Sequence, residues 1–225
     1  MKDNILIIIP AYNPGEKLVK LIKALKDSQY SKILVINDGS EKNDIFQKIR
    51  EEVIIVEHKE NKGKGQALKT GFNYCINNMK NVNGVITVDA DGQHIIEDIN
   101  KVYDEFQKDA SYICLGSRNF EKDNIPFRSR LGNKIISKVL EKKTNISIRD
   151  TQTGLRALPI QYMKKLIEIP GERFEYETNM LLYCIKEKIN IKEIPIKSIY
   201  FNKNKGSNFK VLKDSLQIYN TIIKY

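Results

Sequence analysis

Gly84-Val85-Ile86-Thr87-Val88-Asp89-Ala90-Asp91-Gly92-Gln93-His94 is the stretch whose reading decides the fold. A short apolar run stops abruptly in two carboxylates, a glycine and a histidine. An unbroken run of this kind reads as a strand buried on both faces, as in a parallel sheet. Polar residues cannot continue it, so Asp89 and Asp91 fall at its carboxyl end, the edge at which open α/β sheets bind ligands. In extended chain, residues i and i+2 point to the same side. Two carboxylates converging there repel unless a cation lies between them. A hard divalent ion takes oxygen ligands and keeps waters and substrate phosphates, so the stretch predicts Mg2+ or Mn2+ on a diphosphate. Taken alone it is equally an ordinary Asp-x-Asp-Gly turn, and its surroundings have to decide.

Outward from this strand, apolar runs predict strands over 5–9, 33–36, 53–56 and 112–115. Between them, helical periodicity predicts helices over 16–26, about 41–50, one opened by 61–65 and running to about 78, and 97–107. Strand-helix alternation with short links gives an α/β fold with a mainly parallel sheet. Beyond Gly116-Ser117-Arg118 the pattern loosens. Helices are expected over 127–143, 159–167, 172–188 and 209–225, and a strand pair or one bent strand around Pro195 over 191–200. The division expected is 1–118 for a donor-binding half, 119–208 for an acceptor half of the same domain, and 209–225 for an amphipathic final helix.

Lys and Arg number 38 against 28 Asp and Glu, a net charge of +10, which suits phosphorylated substrates, an anionic membrane surface or nucleic acid. A nucleic-acid module would interleave aromatics with a basic stripe, and the tyrosines here are scattered, so no nucleic-acid partner is expected. Cys75, Cys114 and Cys184 are widely spaced and form no metal pattern, which reads as reduced core thiols of a cytosolic protein. Met1-Lys2-Asp3-Asn4 leads straight into a strand with no signal-peptide pattern. No apolar run reaches the ~18 residues that a membrane span needs.

Several strands exit into polar loops on one edge, at Asn13, Asp38, Asp89/Asp91 and Ser117/Arg118. Asp38 is placed to accept hydrogen bonds from a base or ribose, or else to cap a turn with Ser40. Gly63 and Gly65 would let backbone approach a phosphate at a helix N-terminus. Lys64 would add a point charge, and Arg118 could fork onto a phosphate.

Pro10-Ala11-Tyr12-Asn13, Asp38-Gly39-Ser40, Gly63-Lys64-Gly65 with Ala67-Leu68, Asp89-Ala90-Asp91-Gly92-Gln93-His94 and Gly116-Ser117-Arg118 occur in the order seen in family 2 glycosyltransferases. The chain resembles that family over nearly its whole length. Asp150-Thr151-Gln152-Thr153-Gly154-Leu155-Arg156, Phe174-Glu175 and Gly206-Ser207 are similar to the polyprenyl-phosphate branch, of the dolichyl-phosphate mannosyltransferase and bactoprenol glucosyltransferase type. The resemblance implies a GT-A fold and inverting transfer from a UDP-sugar or GDP-mannose. It implies Mg2+ or Mn2+ on Asp89, Asp91 and Gln93, and a donor held by Pro10, Ala11, Tyr12, Asn13, Asp38, Gly63, Lys64 and Ala90. Two departures stand out: Asn37-Asp38 where the family usually has two Asp, and Pro14-Gly15 before Glu16.

The acceptor follows from chemistry. Transfer to a sugar hydroxyl needs a general base, whereas a phosphate monoester, with its second pKa near 6, is already mostly dianionic at pH 7. It needs cations instead, and Arg128, Arg130, Arg156 and Ser207 are the candidates. Asp150 and Glu175 are then structural or sugar-binding, and either is the base if the acceptor is a hydroxyl. The 127–143 helix, with Leu131, Ile135, Ile136, Val139 and Leu140 on one side and basic residues on the other, suits an anionic bilayer interface. A peripheral protein of the cytoplasmic membrane face is expected, beside a membrane-embedded partner or continued by a transmembrane extension. The alternatives are transfer to a saccharide hydroxyl and, sharing the α/β layout, a sugar nucleotidyltransferase.

Overall fold

The structure is a computed structural model that describes residues 1–120, 125, 127–197 and 211–224; the side chains of 127–129, 211–216 and 224 lie outside the description. Its centre is β1 (Lys2–Ala11). β1 pairs in parallel with β2 (Tyr30–Asn37) on one side and β4 (Gly84–Thr87) on the other, and β2 continues to β3 (Ile54–Glu57). Alternation along the pleat explains the unbroken apolar runs. Leu6 and Ile8 enter the core on one face, Ile5, Ile7 and Ile9 the core on the other, and all five are fully buried.

The sheet has seven strands in the order β3-β2-β1-β4-β6-β5-β7, where β5 is Ile113–Arg118, β6 Arg156–Pro159 and β7 Ile191–Ile196. β6 lies antiparallel between β4 and β5, and β7 runs parallel to β5. The expected mainly parallel sheet is therefore present, with β6 running against its neighbours. Over the described residues, 191–196 is one strand. Pro195 lies in it opposite Ser117, and β7 is an edge strand, where a missing N–H is tolerated.

The helices α1 (Glu16–Asp27), α2 (Asp44–Ile49) and α4 (Ile96–Lys108) cover one face. On the other lie α3 (Lys64–Asn78), α5 (Phe127–Thr144), α6 (Met163–Glu168), α7 (Glu175–Lys186) and α8 (Val211–Lys224). The apolar side expected for α5 is split. Ile136 and Leu140 are buried against Ile218 and Ile222 of α8, whereas Leu131 and Ile135 are 46% and 48% exposed. Asn133 takes the buried place between them, accepting hydrogen bonds from the Thr151 amide and hydroxyl. Among the described residues no helix is long and apolar enough to cross a membrane.

All three cysteines are free and buried, as expected of core thiols. Burial pushes the Cys75 thiol up to about 11 and those of Cys114 and Cys184 to about 12.

Candidate active site

The carboxyl ends of β1, β2 and β4 open onto a cavity of about 760 Å3. The loop after β1 supplies Tyr12 and Asn13, the first turn of α1 supplies Lys17, the exit of β2 supplies Asp38, the turn after β4 supplies Asp89, Ala90, Asp91 and Gln93, and the start of α3 supplies Gly63 and Lys64. Arg173 and Phe174, just before α7, form the far wall. Pro10, Ala11, Tyr12, Asn13, Asp38, Gly63, Lys64, Asp89, Ala90, Asp91 and Gln93, which the sequence proposes for donor and metal, are thus brought to one place.

The exits of β1 and β2 are tied together. Asn13 adopts a left-handed backbone (φ 47°), donates its amide to Ser40 Oγ (2.8 Å) and accepts from the Glu41 amide (3.0 Å). Asp38 has a different role from the one expected. It is 3% exposed, and its carboxylate accepts from the Lys62 and Gly63 amides (2.9 Å each) and the Asn61 side chain (3.0 Å). His58 Nδ1 lies 2.7 Å away, and that ring is fixed on its other side by Thr70. Asp38 therefore builds the loop into α3, and both its oxygens are committed before any nucleotide arrives.

Gly63 and Gly65 also serve packing. A Cβ on Gly63 (φ +97°) would come within 2.5 Å of the Glu172 carbonyl oxygen, and one on Gly65 within 2.6 Å of Tyr176 Cβ. The glycines let the start of α3 sit against residues 172–176, which sets Lys64 beside α7. There the Lys64 ammonium lies 2.7 Å from Asp89 Oδ1 and 2.9 Å from Glu177 Oε2. Burial alone would lower the Lys64 pKa, but Asp89 and Glu177 outweigh it and hold it above its ordinary value. Burial would raise that of Asp89, but Lys64 and then His94 hold it far below the carboxylate range. Asp91, which accepts from the Gln93 amide (3.0 Å), is shifted the other way, raised by burial and by the Asp89 charge.

Asp89 is also covered by Gly154. A Cβ there would fall 2.1 Å from Asp89 Oδ2, and the Gly154 carbonyl is held by the Thr87 hydroxyl (2.8 Å). Antiparallel β6 explains this contact: it begins where the parallel strands end, so the turn before it reaches the same edge.

The donor set is all oxygen: two carboxylates and the Gln93 amide on one turn. Among the described residues no three His, Cys, Asp or Glu side chains close on one point. A partial oxygen set of this kind fits Mg2+ or Mn2+, which usually take one or two carboxylates and complete their shell with water and substrate phosphates.

Of the residues proposed for the acceptor, only the side chains of Arg130 and Arg156 are among the described residues. Arg156 is corrected outright. It is 1% exposed, and its guanidinium donates to the carbonyls of Thr153 (2.9 Å), Glu177 (2.8 Å) and Thr151 (3.3 Å), so it braces the 151–156 turn from within. Arg118 spends its fork on Asp150, through Nε (2.6 Å) and Nη2 (2.8 Å), and Asp150 is fully buried. Glu175 accepts from the Glu172 and Arg173 amides (3.0 and 3.2 Å), and its Oε2 is buried. Arg130 is exposed on α5, while the side chain of Arg128 and all of Ser207 lie outside the described residues. Sequence reasoning missed His58, Arg173 and Glu177. Glu177 left one signal, a carboxylate just ahead of an otherwise apolar helical run.

The model of glycosyl transferase family 2 matches residues 6–167. The chain belongs to this family. A UDP-N-acetylglucosamine–dolichyl-phosphate N-acetylglucosaminyltransferase of Methanococcus voltae is 31% identical over 94% of this chain and 93% of its own. The dolichyl-phosphate beta-glucosyltransferase of Saccharomyces cerevisiae is 24% identical over 96% and 72%. Among solved structures, glucosyl-3-phosphoglycerate synthase from Mycobacterium tuberculosis, bound to Mn2+, UDP and glucosyl-3-phosphoglycerate, superposes with a TM-score of 0.75 at 13% identity, covering 99% of this chain and 79% of that one. The fold is GT-A, and the protein is a family 2 glycosyltransferase.

Proposed function

We propose that this glycosyltransferase moves a hexose from a UDP- or GDP-sugar to a polyprenyl phosphate, with inversion and with Mg2+ or Mn2+, at the cytoplasmic face of a membrane. A phosphate oxygen of the acceptor attacks the anomeric carbon as the bond to the donor diphosphate breaks, and the nucleoside diphosphate leaves with the electron pair. A divalent ion would neutralise charge on that leaving group, with Asp91, Asp89 and Gln93 as its protein ligands. Lys64 stands beside them as a cation for the diphosphate. Tyr12, Asn13 and the loop built by Asp38 frame the nucleoside end of the cavity.

The observation that carries the acceptor class is the state of the two candidate bases. Asp150 is locked into Arg118 and fully buried, and Glu175 is turned onto the amides ahead of α7. Neither presents a solvent-exposed oxygen to an acceptor hydroxyl, since Glu175 Oε2, though unpartnered, is buried, and an ionised phosphate needs no base. The Methanococcus voltae relative, matched along nearly all of both chains, supports the same class. Exposed Leu131 and Ile135 amid Arg130, Lys134, Lys138, Lys142 and Lys143 on α5 support a seat on anionic lipid, as a basic amphipathic helix provides.

A panel of UDP- and GDP-sugars with Mg2+ or Mn2+, incubated with polyprenyl phosphate or with free oligosaccharide, tests the reading. Chelator-sensitive transfer to the lipid phosphate is expected. Transfer to the oligosaccharide alone would overturn the acceptor, and transfer unaffected by chelation would overturn the metal.

A further inference from the structure

Lys64 already occupies one oxygen of Asp89, a carboxylate proposed above as a metal ligand. One face of that carboxylate is closed by Gly154, and His94 Nε2 stands 3.8 Å from Oδ2. Lys64 holds Oδ1 at 2.7 Å. The Asp89 side chain is 28% exposed, so a cation can approach it from the cavity, and one that takes the Oδ1 position displaces the ammonium. A buried ammonium released without a partner would be strongly destabilised. The structure provides a partner, because Glu177 Oε2 holds the same ammonium at 2.9 Å. Glu177 is 4% exposed, and its Oε1 is buried with no hydrogen-bond partner, so it keeps accepting capacity in reserve. Arg156 is no rival for it, since its nearest approach to Glu177 Oε1 is 3.9 Å and its guanidinium is spent on carbonyls.

We propose that Glu177 is a positioning residue of the metal and donor site: it is the second berth of Lys64, which receives the ammonium when a divalent ion takes Asp89. Lys64 is then a resident counter-ion that competes with the metal in the free protein and stands beside the diphosphate once the metal is in place. The inference rests on the metal-dependent reading above and adds the route by which Asp89 becomes available.

The test is Mn2+ binding to the protein without any sugar, followed by electron paramagnetic resonance of the free ion, for wild type, Lys64→Met, Glu177→Gln and the double variant. Lys64→Met removes the competitor and tightens Mn2+ binding about tenfold or more. Glu177→Gln removes the second berth and weakens it by a similar factor. In the double variant there is no ammonium to rehouse, so the Glu177→Gln effect shrinks to the small change of a more distant charge. A through-space charge effect alone would instead weaken Mn2+ binding equally in both backgrounds, and that result overturns the proposal. So does a Lys64→Met protein whose Mn2+ affinity is unchanged, which would leave Asp91 as the metal's carboxylate and Asp89 as a strut. If Glu177→Gln does not fold by circular dichroism, Glu177→Asp takes its place in both backgrounds: a weakening of Mn2+ binding that disappears with Lys64→Met supports the second berth, and an equal effect in both backgrounds overturns it. Mn2+ titrations of the wild type with saturating UDP or GDP separate the two levels. No binding there overturns the metal reading and this inference together, whereas nucleotide-dependent binding with no Lys64→Met effect overturns this inference only.

Discussion

Gly154→Ala is the most informative single substitution outside the Asp89–Gln93 turn, because its whole effect arises from one methyl group. Gly154 has no positive φ, so alanine brings no penalty of backbone conformation. Its Cβ would fall 2.1 Å from Asp89 Oδ2 and 2.5 Å from Cγ. Restoring even the closest separation that real Cβ atoms show, 3.0 Å, needs a retreat of about 1 Å. The turn is pinned by Thr87 Oγ1 to the Gly154 carbonyl and by the Gly116 amide to the Leu155 carbonyl, each at 2.8 Å. The carboxylate is therefore what moves, and it moves off the 2.7 Å contact with Lys64. Overpacking of this kind costs about 1–3 kcal/mol, or roughly 2–12 °C in Tm for a chain of this size. A misplacement of about 1 Å in a reacting site costs on the order of a hundredfold in rate. Differential scanning calorimetry and turnover with the donor found in the panel give both numbers. A Gly154→Ala protein with wild-type kcat and wild-type Mn2+-dependent nucleotide affinity would show that Asp89 is not held by the 151–154 turn, and the account of that motif would fall.

Asp91→Ala abolishes metal-dependent transfer and leaves the circular dichroism spectrum intact; residual turnover indifferent to chelator would refute the role of Asp91. Asp38→Ala strands two loop amides and His58, so urea unfolding shows a loss of about 3–5 kcal/mol, with weaker UDP or GDP binding as a consequence; full stability with weakened binding would restore direct contact with the nucleotide. The raised Cys184 thiol stays protonated in the folded protein while an unfolded thiol ionises near pH 9. Its contribution to stability is complete below pH 9 and is lost as pH rises toward 12 at about 1.4 kcal/mol per unit, so the fall in unfolding free energy from pH 9 to 11 is shallower in Cys184→Ala, and equal slopes would refute it. Reversing Lys134, Lys138 and Lys142 to Glu removes co-sedimentation with anionic vesicles at low salt, where screening beyond about 10 Å is weak; undiminished pelleting would move the membrane contact elsewhere.

The parallel half of the sheet was legible because buried strands announce themselves as apolar runs and their exits as sudden polarity, so β1, β2 and β4 and the cavity at their ends came directly from the sequence. Antiparallel β6 was legible only as a short strand or bend after the 150–156 turn, since four residues are fixed as a strand, and its direction is set, only through partners at Gly84–Thr87 and Cys114–Leu115. The misassigned side chains share a cause. Arg156, Asp38 and Arg118 stand in polar turns and look available to a ligand, yet each is consumed by partners that local sequence does not reveal. Glu177 is the converse case. Its one local signal is a carboxylate just ahead of an apolar helical run, and its role depends on Lys64, more than a hundred residues earlier.

The place of β6 in the sheet has a consequence for how the chain is made. β5 leaves the ribosome complete, yet its neighbour on the β4 side does not exist until β6 is synthesised roughly forty residues later. At about 5–20 residues per second that is an interval of some 2–8 s, during which both β4 and β5 present open edges. The nascent chain therefore passes through a window in which two apolar strands could zip directly together and shut β6 out. A fragment that stops at residue 118 would be held in that window for good.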